Sequence, residues 1–323
     1  MYIVTGGAGF IGSAMIWKLN TMGIDNIMVV DNLGTSEKWK NLVNRRYVEY
    51  MHRDAFIDLV SANNFGCSVK AIIHMGACSS TTERDADFLI RNNLEYSKTL
   101  CLFALENKAR FINASSAATY GDGSLGFDDD VATIDKLKPL NMYGYSKQLF
   151  DLWARRRGLL GAIASLKFFN VYGPNEQHKG DMRSVVNKAF HLIGDEGVMR
   201  LFRSDHPDYS DGGQMRDFVY IKDCVDIMWW LLESPTVNGI FNIGTGTARS
   251  WNNLASAVFA AMSLPENIEY MDMPAQLKGK YQNFTEARMD RLKAAGYTAP
   301  MHSLEQGVTD YVRHYLQAPD PYL

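Results

Sequence analysis

Tyr143 and Lys147 stand four residues apart in the stretch Met-Tyr-Gly-Tyr-Ser-Lys, 142–147. On a helix that spacing puts both side chains on one face, about 6 Å apart along the axis. A phenol ordinarily keeps its proton up to a pKa of about 10. An ammonium group on the same face favours the phenolate and is expected to bring that value toward working pH. A tyrosine so placed can serve as general acid and base at a carbon that changes oxidation state. The same pair also describes a surface helix with an amphipathic tyrosine and a solvated lysine. What decides is whether the chain also builds a hydride acceptor site and a polar partner for the phenol.

The acceptor site would need elements that hold a dinucleotide. An apolar run at 2–5 leads into Gly6-Gly7-Ala8-Gly9-Phe10-Ile11-Gly12, and a helical pattern continues through Ser13, Ile16 and Leu19 to Gly23. Strand, glycine turn and helix in that order are the context of the dinucleotide fingerprint. Gly6 permits the tight turn, Gly9 lets backbone approach a pyrophosphate, and Gly12 allows close packing of the helix. The helix N-terminus then presents free N–H groups to phosphates. A second strand over 26–30 ends in Asp31-Asn32, and Asp31 lies 19 residues after Gly12, where an acidic residue holds the adenosine ribose hydroxyls. Lys38, Arg45, Arg46 and Arg53 follow, and a cation beside that ribose would accommodate a 2′-phosphate. Asp31 argues for NAD and the cations for NADP; spacing leaves both open.

Further strands are expected at 70–75, 110–114 and 162–169, each leading into a small or polar turn. The first carries His74, read as a satisfied core histidine, and then Gly76-Ala77-Cys78-Ser79. The second runs into Ser115-Ser116-Ala117-Ala118-Thr119-Tyr120-Gly121, and the third into Asn170-Val171-Tyr172-Gly173-Pro174. A long helix over 85–107 would carry Asn92 and Asn93. Alternation of this kind predicts an α/β fold, a doubly wound parallel sheet of the Rossmann type with a smaller C-terminal α/β substrate lobe. Residues 1–170 would form the dinucleotide-binding domain and 171–323 mainly the substrate lobe, with segments near 218–245 returning to the sheet. The cleft between them is the expected site.

Composition narrows the partners. The 323 residues are 46% hydrophobic and 21% charged, with a net charge of -3, which gives no sign of a nucleic-acid partner. The four cysteines show no metal spacing and read as reduced, as in a cytoplasmic protein. No apolar run reaches the roughly 18 residues of a membrane helix, and no basic leader precedes the first strand. No membrane partner and no metal are expected.

With these residues in place, the chain resembles the extended short-chain dehydrogenase/reductase family. The resemblance rests on Thr5 to Gly12, Ser115 to Gly121, Tyr143-x-x-x-Lys147 and Asn170 to Pro174, and it runs nearly end to end. It is closest to members that invert C6 of the heptose in an ADP-linked heptose, a step toward the lipopolysaccharide inner core. The stretches 76–82, 143–147, 178–180, 216–220 and 277–282 carry that likeness. The resemblance implies a tightly held NADP, with NAD as the other option, and a homo-oligomer, a pentamer in such members. It implies that a 6-ketone forms and is reduced on its other face, with Tyr143 and Lys179 as two bases. Ser116 would hydrogen-bond the reacting oxygen, and Lys147 would bind the nicotinamide ribose and tune Tyr143. Lys179 also reads as a phosphate clamp or an exposed loop lysine.

By the same resemblance Phe10, Ile11, Asp31, Asn32, Lys38, Arg53, Met75, Gly76, Ala77, Cys78, Ser79, Asn92 and Val171 contact the cofactor. Asn170, Asp181, Lys188, Phe202, Arg203, Ser204, Asp205, Arg216 and Tyr281 would line the nucleotide-sugar site. Met75 stands where an acidic residue is usual, Asp181 where a small polar one is, and Lys188 where histidine is. The polar stretch 203–214 is several residues longer than in the family, which bears on the sugar accepted. A 4,6-dehydratase would need Asp-Glu after the active-site Ser or Thr, and this chain has Ala117-Ala118. A UDP-hexose 4-epimerase would lack Lys179, and a non-catalytic nicotinamide sensor would not need the catalytic set.

Overall fold

The structure, a computed structural model, describes residues 1–62, 65–274 and 282–323. Its centre is a seven-stranded parallel sheet. The strands are β1 (Tyr2–Thr5), β2 (Ile27–Asp31), β3 (Glu49–His52), β4 (Ala71–His74), β5 (Arg110–Ser116), β6 (Ile163–Phe168) and a last one, Gly239–Ile243. Their spatial order from one edge is Gly239–Ile243, β6, β5, β4, β1, β2, β3. Strand order reverses between β1 and β4, so the turns after those two strands open a crevice at the carboxyl edge of the sheet. The central strands are buried on both faces, as β2 and β4 are throughout, which is why they read as continuous apolar runs rather than alternating ones.

Strand Gly239–Ile243 extends this sheet beside β6, but Phe218–Tyr220 does not enter it. That segment pairs in parallel with Asn170–Tyr172 as a separate two-stranded ribbon. A short apolar run carries no information about which partner edge it will meet.

Glycine-loop packing explains the sequence spacing of the first turn. Gly6 sits at φ +64°, and a Cβ on Gly12 would lie 2.1 Å from the Gly6 carbonyl oxygen. The helix Phe10–Thr21 can therefore approach the turn only with glycine at both places. The expected long helix over 85–107 divides instead into Ala86–Leu89, a π-helical turn Ile90–Glu95 and Tyr96–Glu106. Such turns recur at functional sites because the wider register re-aims side chains, and this one carries Asn92 and Asn93, both buried.

Candidate active site

The helix that carries the tyrosine and lysine runs from Met142 to Arg156. The Asn141 side chain caps it by accepting from the Gly144 N–H at 2.8 Å. Gly144 packs so closely on the turn after β5 that a Cβ there would lie 2.7 Å from the Ala118 carbonyl oxygen. That turn, Ala117–Tyr120, is capped by Ser116, whose hydroxyl accepts from the Ala118 N–H at 3.1 Å. Helix and turn thus bring Tyr143 and Ser116 together, close enough for the Ser116 hydroxyl to favour the phenolate.

Burial raises the Tyr143 pKa above the ordinary phenol value, and the Ser116 hydroxyl only opposes this. The expectation that Lys147 draws the phenol toward working pH does not hold in the protein alone. The Lys147 ammonium is buried and donates to the Ala114 carbonyl at 2.7 Å. Its pKa is lowered to about 8, chiefly by burial, with Asp151 acting the other way. His74 is the satisfied core histidine expected of it, held between the Thr5 hydroxyl at 2.6 Å and the Ser97 hydroxyl at 2.8 Å. Burial, and then the Lys147 charge, push its pKa down to about 3.

Lys179 comes from a different kind of element, the short 3₁₀ segment Gln177–Met182. Its ammonium lies 5.2 Å from the centre of the Phe10 ring at the start of the glycine-loop helix. Burial lowers its pKa and Glu176 opposes the change. Glu176 is itself fully buried, accepting from the Ser184 N–H at 2.5 Å and the Ser184 hydroxyl at 2.6 Å. Next to Lys179, burial brings the His178 pKa down to about 4, helped by the Lys179 and Lys38 charges.

Ser116, Tyr143, Lys147, His178 and Lys179 face one cleft of about 990 Å³, at the upper end of the range for small-molecule sites. Tyr143, Lys147, Ser116 and Lys179 line it. So do Gly6, Gly9, Phe10, Ile11, Gly12, Asp31, Asn32, Lys38 and Arg53, together with Met75, Gly76, Ala77, Cys78, Ser79, Asn92 and Val171.

The cradle fits a dinucleotide on its own geometry. No side chain caps the glycine-loop helix, so its leading N–H groups remain for phosphate oxygens. Asp31 accepts from the Ala8 N–H at 2.9 Å, the Asn32 N–H at 2.7 Å and the Lys38 ammonium at 2.7 Å. Arg53 hydrogen-bonds Asn92 and packs its guanidinium over the Tyr96 ring at 5.5 Å.

The expected substrate set is more scattered. Asn170 lines the cleft, while Asp181 and Lys188 are exposed and outside its lining. Residues 202–205 also lie outside it, and Arg203 pairs with Asp211 at 3.7 Å and Asp272 at 3.5 Å. Arg216 is buried behind the wall, its guanidinium 5.6 Å from the centre of the Trp251 ring, and Trp251 does line the cleft. Tyr281 lies outside the described residues.

Sequence reasoning missed Arg183, Trp251 and Thr285, which line the cleft without any motif. It also gave no role to Asn93. That side chain accepts from the Cys78 N–H at 2.9 Å and donates to the Cys78 carbonyl and the Ser146 hydroxyl, each at 3.0 Å. It fastens the turn after β4 to the tyrosine helix.

Among the described residues no group of His, Cys, Asp or Glu is placed to hold a metal, and all four cysteines are free. No described helix is long and apolar enough to cross a membrane.

This sheet order, glycine cradle and Tyr-x-x-x-Lys helix are those of a nicotinamide-dependent, short-chain-reductase-like enzyme. The match of a family model over residues 2–244 agrees, and the chain belongs to the NAD dependent epimerase/dehydratase family. A Nitratidesulfovibrio vulgaris (strain DP4) protein named ADP-L-glycero-D-manno-heptose-6-epimerase is 71% identical over 323 residues, 100% of both chains. A Fusobacterium nucleatum protein of the same name is 48% identical, again over 100% of both. The crystal structure of the Helicobacter pylori protein of that name superposes with a TM-score of 0.81 at 26% identity, covering 97% of this chain and 95% of the other.

Proposed function

We propose that this epimerase inverts C6 of the heptose in an ADP-linked glycero-manno-heptose, through a transient 6-ketone, with NADP held in the cleft. The product would serve lipopolysaccharide inner-core assembly. The observation that carries the reading is that two proton-transferring groups from unrelated elements, Tyr143 and Lys179, line one cleft beside a dinucleotide cradle.

A carbon bearing only a hydroxyl is not acidic enough to invert by losing its proton. Oxidation makes it planar, and reduction on the opposite face then gives the other epimer. A bound nicotinamide supplies the reversible hydride acceptor. The two epimers present their C6 hydroxyls in two orientations, so a proton acceptor is needed for each. Tyr143, beside Ser116, serves one and Lys179 the other. Lys179 must be neutral to accept a proton, and burial, which disfavours its ammonium form, supports that role. Lys147, on the same helix face as Tyr143, would hold the nicotinamide ribose. Asn170 and the Trp251 side of the cleft are where the sugar nucleotide would lie.

For the cofactor, the favourable sign is the pairing of Lys38 with Asp31 at 2.7 Å. That ammonium offsets the carboxylate which would otherwise repel a 2′-phosphate, and Arg53 adds a second cation on the same wall. Nucleotide extracted from the purified protein should be NADP, and NAD alone would overturn this part. Incubation with the ADP-heptose should interconvert the two epimers, read from anomeric and H6 NMR signals. Tyr143→Phe and Lys179→Met should each lose about 10²- to 10⁴-fold in rate with nucleotide retained. An active Lys179→Met would remove that lysine from the mechanism.

A further inference from the structure

Lys179 follows a short run of residues, 175–178, that is fastened to the cofactor side of the molecule as well as to Ser184 and the C-terminal residues Pro321 and Leu323. Asn41 is at the centre of that attachment. It lies in the 3₁₀ segment Glu37–Leu42, just beyond Lys38, and is 1% exposed. Its amide nitrogen donates to the Ala8 carbonyl of the glycine loop at 2.9 Å and the Asn175 carbonyl at 3.1 Å, and lies 3.2 Å from the His178 Nδ1. The Asn41 carbonyl oxygen, in contrast, is buried with no partner. Leaving a buried acceptor unsatisfied is destabilising. Asparagine is therefore present for its two N–H bonds.

Asn175 adds a second fastening. It is fully buried at φ +78°, a conformation asparagine tolerates better than most residues. Its side chain donates to the Ser13 hydroxyl on the glycine-loop helix at 2.9 Å and accepts from the Leu323 N–H at 2.9 Å. The Lys179 N–H then donates to the Glu176 carbonyl at 3.0 Å, so the fastened run 175–178 leads directly to the lysine. The ammonium ends over Phe10, which belongs to the same glycine-loop helix as Ser13.

We propose that Asn41 is a positioning residue for Lys179, tying the segment that bears the second base to the loops that hold the cofactor. The inference rests on the proposed role of Lys179. It couples the placement of Lys179 to the glycine loop and its helix, with further bonds from the same run to Ser184 and to the C-terminal residues Pro321 and Leu323. A misplacement on the order of 1 Å costs about 10²-fold in rate without loss of binding.

The test uses the holoenzyme with Asn41→Leu, which keeps the branched shape and removes the donors. It also uses Asn175→Gly, which accepts the positive φ and removes the bonds to Ser13 and Leu323. Hydrogen exchange at 175–182 should speed at least about tenfold while exchange across 143–156 stays within about twofold. Turnover should fall about 10- to 100-fold with KM and bound nucleotide little changed. Asn175→Gly covers the case in which Asn41→Leu fails to fold, because it leaves the Asn41 site intact. Exchange at 175–182 that stays unchanged in the folded variants overturns the inference, as does a loosened segment with full turnover. An active Lys179→Met would remove the base reading alone, because the exchange contrast is measured without turnover.

Discussion

Tyr143 and Lys179 face the same cleft, yet the protein holds them by different means. Tyr143 stands in the first turn of a 15-residue helix, capped by Asn141 and pressed against the Ser116 turn by Gly144. Lys179 stands in a six-residue 3₁₀ segment with no side-chain cap, and its seat depends on hydrogen bonds from Asn41 and Asn175 to a distant part of the chain. The first arrangement is steric and local, the second polar and long-range. A helix can offer one side chain at a fixed height and angle. A second group on the other side of the same reacting carbon has to come from a different element, and short segments gain rigidity only by being tied to something already rigid. On this reading the dinucleotide domain takes part in positioning both groups.

The contrast can be broken first on the helix side. Gly144→Ala would ordinarily gain about 0.5–1 kcal/mol of helix stability. Here the added Cβ would meet a backbone carbonyl at 2.7 Å, which cannot rotate away. Overpacking of this kind costs about 1–3 kcal/mol, so the net change should be a loss of stability. Displacing Tyr143 from Ser116 should reduce turnover by about 10²-fold. Denaturant melts and the NMR assay read both, and a variant as stable and active as the parent would sink the steric account.

A smaller effect is expected from Asn93→Ala. The change strands the Cys78 N–H and carbonyl, at a cost of about 1–3 kcal/mol, while the Ser146 hydroxyl keeps its bond to the Tyr143 carbonyl. The turn after β4 should then loosen and bound nicotinamide should dissociate about tenfold faster. Fluorescence of the reduced cofactor during dilution measures this. An unchanged off-rate would show that the turn is held by packing alone.

The smallest effect concerns pH. Burial lowers the Lys179 pKa, so its neutral form is reached at lower pH than for a free lysine. In the direction that uses Lys179 as base, the rate should therefore climb as pH rises. His178, at about 4, stays neutral from pH 6 to 9 and contributes no limb there. Glu176 raises the Lys179 pKa, so Glu176→Gln should move the rising limb to lower pH. A shift the other way in the pH–rate profile would separate Glu176 from Lys179.

The glycine loop, Asp31 and Tyr-x-x-x-Lys are legible in the sequence because each depends on spacing within one strand–turn–helix unit. Asn41 is not, because its partner Asn175 is 134 residues away in the chain. Asn93 is hidden for the same reason, with Ser146 53 residues away. The π-helical turn that aims Asn92 and Asn93 leaves no trace in a periodic pattern. Family resemblance reaches Lys179 as a base, but placing Asp181, Lys188 and 202–205 around the sugar requires loop geometry that sequence spacing does not carry.

Tyr143 and Lys147 sharing one helix face is a property of the sequence alone, since a four-residue separation on a capped helix allows little else. Their charge states are not. Only the tertiary structure decided that burial holds the phenol protonated and that the Lys147 ammonium turns to the Ala114 carbonyl. Desolvation depends on every chain segment that closes over a group, and no local spacing encodes that.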